Sequence, residues 1–195
     1  MEVDPDNHLL WRFPLKRLEA EIIRDTMLAV SGELDLKLGG PYIPTKHNAD
    51  GQVVVDETSS GAKRRSLYLQ QRRTQPLTLM EVFDGAQQNL NCTRRNPSTV
   101  SLQSLALLNS DFARARSRAF AQRILKEAGS DSTHRTTLAF QLAVGRGPNA
   151  DETLAASEFL QSQSAHYAGK PGADESAWSD FCQMLLASNS FLYVE

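Results

Sequence analysis

The chain has 195 residues, of which 41% are hydrophobic and 23% charged, the composition of one ordinary globular domain. Its formal net charge of −2 excludes a strong overall field for nucleic acid or for an anionic membrane. No apolar run approaches the ~20 residues of a membrane helix. Glu2, Asp4 and Asp6 stand where a signal peptide would be basic. The sequence therefore predicts either a cytoplasmic protein or a piece of a longer precursor.

The N-terminal part begins with an extended arm and continues as a helix. The arm is expected to make apolar contacts through Leu9, Leu10, Trp11 and Phe13. From Leu15 to Val30 the apolar residues recur at nearly 3.6 spacing, which predicts an amphipathic helix. Pro14 fits its first turn, and Gly32 can close it in a left-handed conformation.

A loop and a hairpin are predicted next. Gly39 and Gly40 open a turn-rich segment, but no phosphate-loop motif follows, so we interpret it as a plain loop. The β-type residues at 53–55 and 67–69 predict the two strands of a hairpin joined by a polar loop. Because two strands alone are marginal in water, we expect the hairpin to pack on a helical body.

The second half is predicted to be helical almost throughout. Thr78 and Glu81 have the form of a capping box, and Gly85 would end that short helix. Further helices are predicted from 101 onwards, at about 111–128, from 131 or 132 to 145, from 149 onwards, and at about 174–188.

The predicted fold class is therefore mainly α, a multi-helix bundle with one small antiparallel hairpin packed on it. We expect a single domain over 1–195, with the arm, first helix and hairpin in 1–76 and the helical body in 77–195.

Few residues indicate catalysis or a cofactor. The four histidines have no partner at metal-ligand spacing, so no metal site is predicted. No CxxCH motif is present, and therefore no haem would be attached to this chain. There is no GxSxG elbow, and Ser98, Thr99 and Ser101 are interpreted as residues that cap a helix.

The stretch 91–109 concentrates more special residue types than any other part of the sequence. It is predicted to be a junction between the hairpin half and the helical half. Cys92 and Cys182 leave two alternatives open, a disulfide that ties this junction to the last helix or two buried thiols.

Basic residues are clustered in three groups within about thirty residues, and they are the candidate ligand-binding residues: Arg64, Arg65, Arg72, Arg73, Arg94 and Arg95. Guanidinium groups bind sulfate, phosphate and carboxylate in a bidentate manner, so an anionic glycan is one candidate ligand. The alternative is that these arginines pair with the chain's own carboxylates and carbonyls. Nucleic acid is less favoured, because aromatic residues are not interleaved with the arginines.

Several ordered motifs carry a family resemblance: KRLEAEIIRD, LAVSGELDLKLGGP, RRSLYLQQRRTQPL, VFDG, NCTRRNPSTVSLQSLALLNS, LAVGRGPNADE and CQMLLASNSFLYVE. In these motifs the chain resembles the planctomycete cytochrome-c-associated domain PSD-one, domain of unknown function fifteen-fifty-three. The resemblance implies that the chain is the C-terminal portion of a large exported bacterial protein, periplasmic or extracellular. It also implies that the signal peptide and any c-type haem belong to the missing N-terminal region.

Two functions follow as expectations. The first is a non-catalytic interaction or structural domain that packs on its own N-terminal domains in the full-length protein. The second is part of an enzyme or binding site for anionic, sulfated polysaccharide, completed by a missing domain. In that case Arg94 and Arg95 would hold an anionic group of the substrate. Neither nucleic acid nor a membrane is an expected partner.

Overall fold

Helices dominate the computed structural model, which describes residues 4, 7–86, 95 and 97–194. The helices of this part of the chain are α1 (Ala20–Val30), α2 (Thr78–Val82), α3 (Ser101–Asn109), α4 (Asp111–Glu127), α5 (Ser132–Val144), α6 (Ala150–Tyr167), α7 (Ala173–Leu186) and α8 (Asn189–Leu192). The predicted class, mainly α with a small antiparallel hairpin, is confirmed.

The core forms around α4 and α7, which pack along each other while α6 covers α7. Phe120 and Ile124 of α4 and Phe181 of α7 are fully buried. The rings of Trp178 and Phe181 meet edge to face with centroids 5.5 Å apart. Burying one such large apolar side chain contributes about 1.5–3 kcal/mol, so this helix pair is a principal source of stability.

The hairpin has a different second strand from the one predicted. Strand β3 (Val53–Val55) pairs antiparallel with β2 (Thr45–His47), and Thr45 lies opposite Val55. The predicted strand at 67–69 is wrong, because Ser66–Tyr68 forms a 3₁₀ turn. Tertiary contacts override the β propensity there: the carboxylate of Asp25 accepts hydrogen bonds from both the backbone N–H and the hydroxyl of Ser66.

A second small sheet joins the two ends of the described chain. Strand β1 (Lys16–Arg17) pairs antiparallel with β4 (Tyr193–Val194). The predicted helix therefore starts later than Leu15, at Ala20, since the preceding residues are held extended. The backbone N–H of Leu18 donates to the carbonyl of Leu192 at 2.8 Å, a bond that no local pattern indicates.

The observed ends of the helices agree with some of the predicted caps and differ from others. The capping box at Asn149 and Glu152 is confirmed, as is the end of α5 at Gly145, which has a left-handed conformation. The capping box at Thr78 is wrong, because Thr78 is the first residue of α2. Its hydroxyl instead accepts a hydrogen bond from the N–H of Val53 at 3.0 Å, which fastens the hairpin to α2.

Candidate docking surface

Arg64 is buried and holds a loop rather than facing a ligand. Its guanidinium donates to the carbonyls of Lys37 at 3.4 Å, Gly39 and Pro41 at 3.0 Å. It also lies 3.7 Å from the centroid of the Tyr68 ring. These contacts occupy the donors that an anion would need, so Arg64 fixes the Gly-Gly-Pro loop.

Arg65, Arg72 and Arg73 are exposed. Arg65 lies 3.7 Å from the carboxylate of Asp25, and Arg72 donates to the amide oxygen of Gln75 at 3.2 Å. Contacts this exposed contribute little to stability. Anion binding by these three residues stays a prediction.

Arg95 is bound to carboxylates of α1, and Arg94 lies outside the described residues. The Arg95 guanidinium donates to the two carboxylate oxygens of Glu21 at 2.6 and 3.0 Å, and to Glu19 at 3.3 Å. Burial raises the pKa of Glu21, but the hydrogen bond from Arg95, a backbone hydrogen bond and the charge of Arg95 together outweigh burial, so the pKa lies below its usual value. Glu21 and Asp25 are one turn apart on α1, so Arg95 and Arg65 lie along the same helix against acidic groups.

Buried arginines are the main polar feature that sequence reasoning missed. Among the described residues four guanidinium groups are buried, and each lies over an aromatic ring: Arg17 on Phe83, Arg24 and Arg116 on Phe112, and Arg64 on Tyr68. The patterns of α1 and α4 predict Arg24 and Arg116 on the solvent side, which is wrong. For Arg24 a signal exists, because it lies four residues before the buried Leu28 and therefore on the same helix face.

The guanidinium groups of Arg24 and Arg116 both lie near the ring of Phe112, at 5.6 and 5.2 Å from its centroid. Arg24 donates to the carbonyls of Ala62 at 2.7 Å and Arg64 at 3.0 Å, and burial lowers the pKa of its guanidinium. The Nε of Arg116 lies 2.9 Å from the carboxylate of Glu33. The cluster is closed by groups of the chain itself, which is the arrangement of a structural clamp.

Ser98 and Asp84 form a second clamp, at the start of the helical body. The Ser98 hydroxyl and backbone N–H donate to the Asp84 carboxylate, which also accepts from Arg17 at 2.7 Å. Burial raises the pKa of Asp84, but the hydrogen bonds from Ser98 and Arg17 outweigh it, so the pKa is lowered. Because its lowered pKa makes the Asp84 carboxylate a weak base, we interpret the Ser98 hydroxyl as a structural group.

Among the described residues, neither a disulfide nor a cluster of metal-ligand side chains is found. Cys182 carries a free, fully buried thiol, and burial raises its pKa well above the usual value. Cys92 lies outside the described residues, so its pairing with Cys182 stays a prediction. Within the described ranges, no three His, Cys, Asp or Glu side chains gather as metal ligands. No helix there is both long and apolar enough to cross a membrane.

Five large apolar side chains of the N-terminal segment are exposed. Their exposed fractions range from 49% to 77%, and they are Leu9, Leu10, Trp11, Phe13 and Leu15. The arm is nevertheless folded, since the Asp4 carboxylate accepts from the N–H groups of His8 at 2.8 Å and Leu9 at 2.7 Å. The predicted apolar contacts are therefore not satisfied within the described chain.

Helix α3 exposes an apolar stripe of its own. Leu102, Leu105 and Leu108, at i, i+3 and i+6, are each about half exposed, while Leu107 is buried. No charged residue occurs anywhere in 97–110. A helix whose solvent face carries leucines and no charge has the character of an interface core.

Contacts between β1, β4 and the start of α3 connect the two apolar regions. Arg17 donates to the carbonyl of Ser98, and the hydroxyls of Thr99 and Tyr193 are 3.3 Å apart. Strand β1, which follows the arm, therefore lies beside the residues that precede α3. We name this region the docking surface, and its members are Leu9, Leu10, Trp11, Phe13, Leu15, Val100, Leu102, Leu105, Leu108 and Val194.

The fold and this surface define a helical domain whose buried arginines contact carbonyl and carboxylate groups of the chain, while the docking surface is exposed. The chain belongs to the PSD1 family, proteins of unknown function (DUF1553), whose family profile matches residues 1–160. The resemblance read from the motifs is thereby confirmed at the level of the family. Comparisons with curated proteins and with solved structures each gave no match.

Proposed function

We propose that this chain is a non-catalytic interaction domain that packs, through the docking surface, against another domain of the same longer protein. The observation that carries the proposal is the set of ten apolar side chains that are about half or more exposed on connected segments. Soluble monomers rarely expose contiguous apolar patches larger than a few hundred Å².

The contacts of the candidate ligand-binding arginines also support a non-catalytic interaction domain. Arg64 and Arg95, which the sequence suggested as ligand residues, are engaged with carbonyls and carboxylates of the chain. These contacts leave the apolar surface as the better candidate for recognition. An aromatic residue among leucines, such as Trp11, is typical of the residues that dominate interface energies.

The location of the protein is part of the proposal. Following the resemblance, we place the longer protein in the periplasm or outside the cell, with any haem in its other domains. Cell fractionation with an antibody against this domain tests the location, and recovery in the cytoplasm alone would contradict it.

Photo-crosslinking tests the proposed contact in the protein as the cell makes it. A photo-reactive amino acid is placed at Leu10 or at Leu105, and the cross-linked peptides are identified by mass spectrometry. We expect cross-links to another domain of the same polypeptide. The control is Leu154 of α6, which is exposed but stands outside the docking surface. Equal yields at Leu154, or cross-links only to unrelated chains, would overturn the proposal.

A further inference from the structure

The N-terminal arm contains a turn, residues 7–12, that is closed by bonds between its own side chains and backbone. The Asp4 carboxylate accepts from two backbone N–H groups of the turn at 2.8 and 2.7 Å. The side-chain amide of Asn7 closes the other end, since its oxygen accepts from the N–H of Arg12 at 3.2 Å and its nitrogen donates to the Arg12 carbonyl at 2.9 Å. Local bonds of this kind give a short segment a defined shape without a helix or a sheet.

Leu10 has a strained backbone conformation within this turn. Its φ is +53°, in the left-handed region where the Cβ of an L-residue comes close to the following carbonyl oxygen. Its N–H donates to the carbonyl of Asn7 at 3.2 Å, a bond that holds the residue in this conformation. The Leu10 side chain is 72% exposed, so packing within the described chain does little to offset the strain. Strained residues of this kind are concentrated at binding sites, so the conformation points to a function for the turn.

The two parts of the docking surface differ in how far their side chains project. Leu9 and Leu10 are 77% and 72% exposed, whereas the leucines of the α3 stripe are about half exposed along the helix. We name Leu9 and Leu10 the tip. The half-buried stripe of α3 matches a flat partner surface, but a projecting pair of leucines is fully buried only in a concave one, where interface anchors are usually found.

The surroundings of the tip indicate the chemistry of that concave surface. The indole N–H of Trp11 donates to the carbonyl of Asp4 at 3.0 Å, and the guanidinium of Arg12 lies 5.2 Å from the centroid of the Trp11 ring. Arg12 is the only charged residue in 9–15. Because the tip has no polar side-chain group, a polar wall around it would lose its hydrogen bonds to water without replacement. The wall that covers the tip is therefore expected to be apolar.

We propose that the tip inserts into an apolar cavity of the partner domain, and that Asp4 and Asn7 are positioning residues that fix the turn before docking. This inference rests on the proposed function, because it describes how the docking surface recognises that domain. A turn fixed before binding loses little conformational entropy when the partner docks. The α3 stripe packs beside the inserted tip.

Thiol labelling in the longer protein, as the cell makes it, tests the insertion. Leu9→Cys and Leu105→Cys are made separately in a background that carries Cys92→Ser, and each protein is treated with a maleimide reagent. Cys182 is buried and should not react. In the 195-residue chain by itself both introduced thiols should react fast. In the longer protein the rate at position 9 should fall by about tenfold or more, because the reagent reaches an enclosed thiol only when the contact opens.

Two substitutions separate the apolar tip from the conformation of the turn. Leu10→Asn keeps a residue that tolerates the left-handed backbone but removes the apolar group, whereas Asp4→Ala removes the acceptor. Each should raise the labelling rate at position 9 of the longer protein by about tenfold or more, as expected for loss of an anchor. Only Asp4→Ala should also speed amide exchange at His8 and Leu9, and Asp4→Asn, which keeps an acceptor oxygen, should restore part of the protection. Leu154→Asn is the control and should change neither rate.

The outcomes distinguish this inference from the proposed function. Protection at position 105 with full reactivity at position 9 would overturn the insertion and leave the proposed function intact. Full reactivity at both positions would contradict both. Protection at position 9 that survives Leu10→Asn and Asp4→Ala would also overturn the insertion. So would a blue shift of Trp11 fluorescence on phosphatidylcholine vesicles that Leu10→Asn removes, because it would assign the tip to a lipid surface.

Discussion

Buried arginines hold the irregular segments of this domain in place. Arg24 has no exposed area, and its guanidinium binds the carbonyls of Ala62 and Arg64 and lies 3.3 Å from the Ser66 hydroxyl. A buried cation is costly to desolvate, and it is tolerated here because carbonyl oxygens accept from both Nη1 and Nη2 of the guanidinium. The 62–66 segment has few repetitive backbone bonds of its own, so its shape depends on this side chain.

Replacing Arg24 by Met should destabilise the domain strongly. Met keeps much of the volume but leaves the carbonyls of Ala62 and Arg64 buried without donors, which costs about 3 kcal/mol in all. The free energy of unfolding measured by urea denaturation checks this. Arg118→Met, on the exposed face of α4, is the matched control and should change it by no more than about 0.5 kcal/mol. An equally small effect at Arg24 would show that the clamp contributes nothing.

At the scale of elements, the sequence predicted features that depend on residues within one turn and missed features that depend on residues distant in the chain. The capping box at Asn149 and Glu152 and the glycine that ends α5 involve residues within one turn, so the sequence predicted both. The strand predicted at 67–69 failed because its conformation is decided by Asp25, about forty residues away. Helix α1 begins late for a similar reason, since β1 is held by β4 at the other end of the chain.

For the candidate site too, the sequence predicted the features that are local and missed those that depend on residues distant in the chain. The sequence shows that the arm and α3 are rich in apolar residues. A periodic pattern predicts that an apolar face is buried, but it cannot show which apolar face remains exposed in the folded chain. The sequence singled out Arg64 and Arg95 as candidate ligand-binding residues, with pairing to the chain's own groups as the alternative. Their partners are the carbonyls of a loop and the carboxylates of α1, which only the fold brings close to them.

Asp84 links three elements, and its protonation should weaken them together. It joins the end of α2 to Arg17 of β1 and to Ser98 before α3. Its pKa in the folded protein lies below the value of about 3.9 expected for the unfolded chain. This stabilisation is therefore complete above about pH 5 and is lost as the pH falls through the folded pKa, below about pH 4.

Replacing Asp84 by Asn should reproduce that loss at neutral pH. Asn tolerates the left-handed backbone of this position, φ +57°, so the change removes mainly the charge. We expect about 1 kcal/mol lower stability at pH 7 and a flatter fall between pH 5 and pH 3, measured by urea denaturation at each pH. Glu158→Gln, an exposed carboxylate of α6, should leave the profile unchanged. Parallel profiles for Asp84→Asn and the parent would contradict the linkage.

At the scale of the whole molecule, the core and the docking surface use the same residue types in opposite ways. Phe120, Phe181 and Leu186 have almost no exposed area, and they join helices from distant parts of the chain. Leu9, Leu10 and Leu105 are at least half exposed and add little to the stability of the domain. Changing them should therefore affect recognition and leave folding intact.

A dye that binds exposed apolar surface separates these two roles. The folded chain should bind anilinonaphthalene sulfonate at neutral pH, although such binding is usual only for loosely packed states. The triple change Leu9→Ser, Leu10→Ser and Leu105→Ser should remove most of the fluorescence. It should change the free energy of unfolding by no more than about 0.5 kcal/mol per site, since these side chains are largely in water already. Leu154→Ser, which removes a single isolated leucine, should leave the fluorescence unchanged. Strong dye binding that survives the triple change would place the open apolar surface elsewhere, and the exposed residues Leu36 and Leu38 would be the next to substitute.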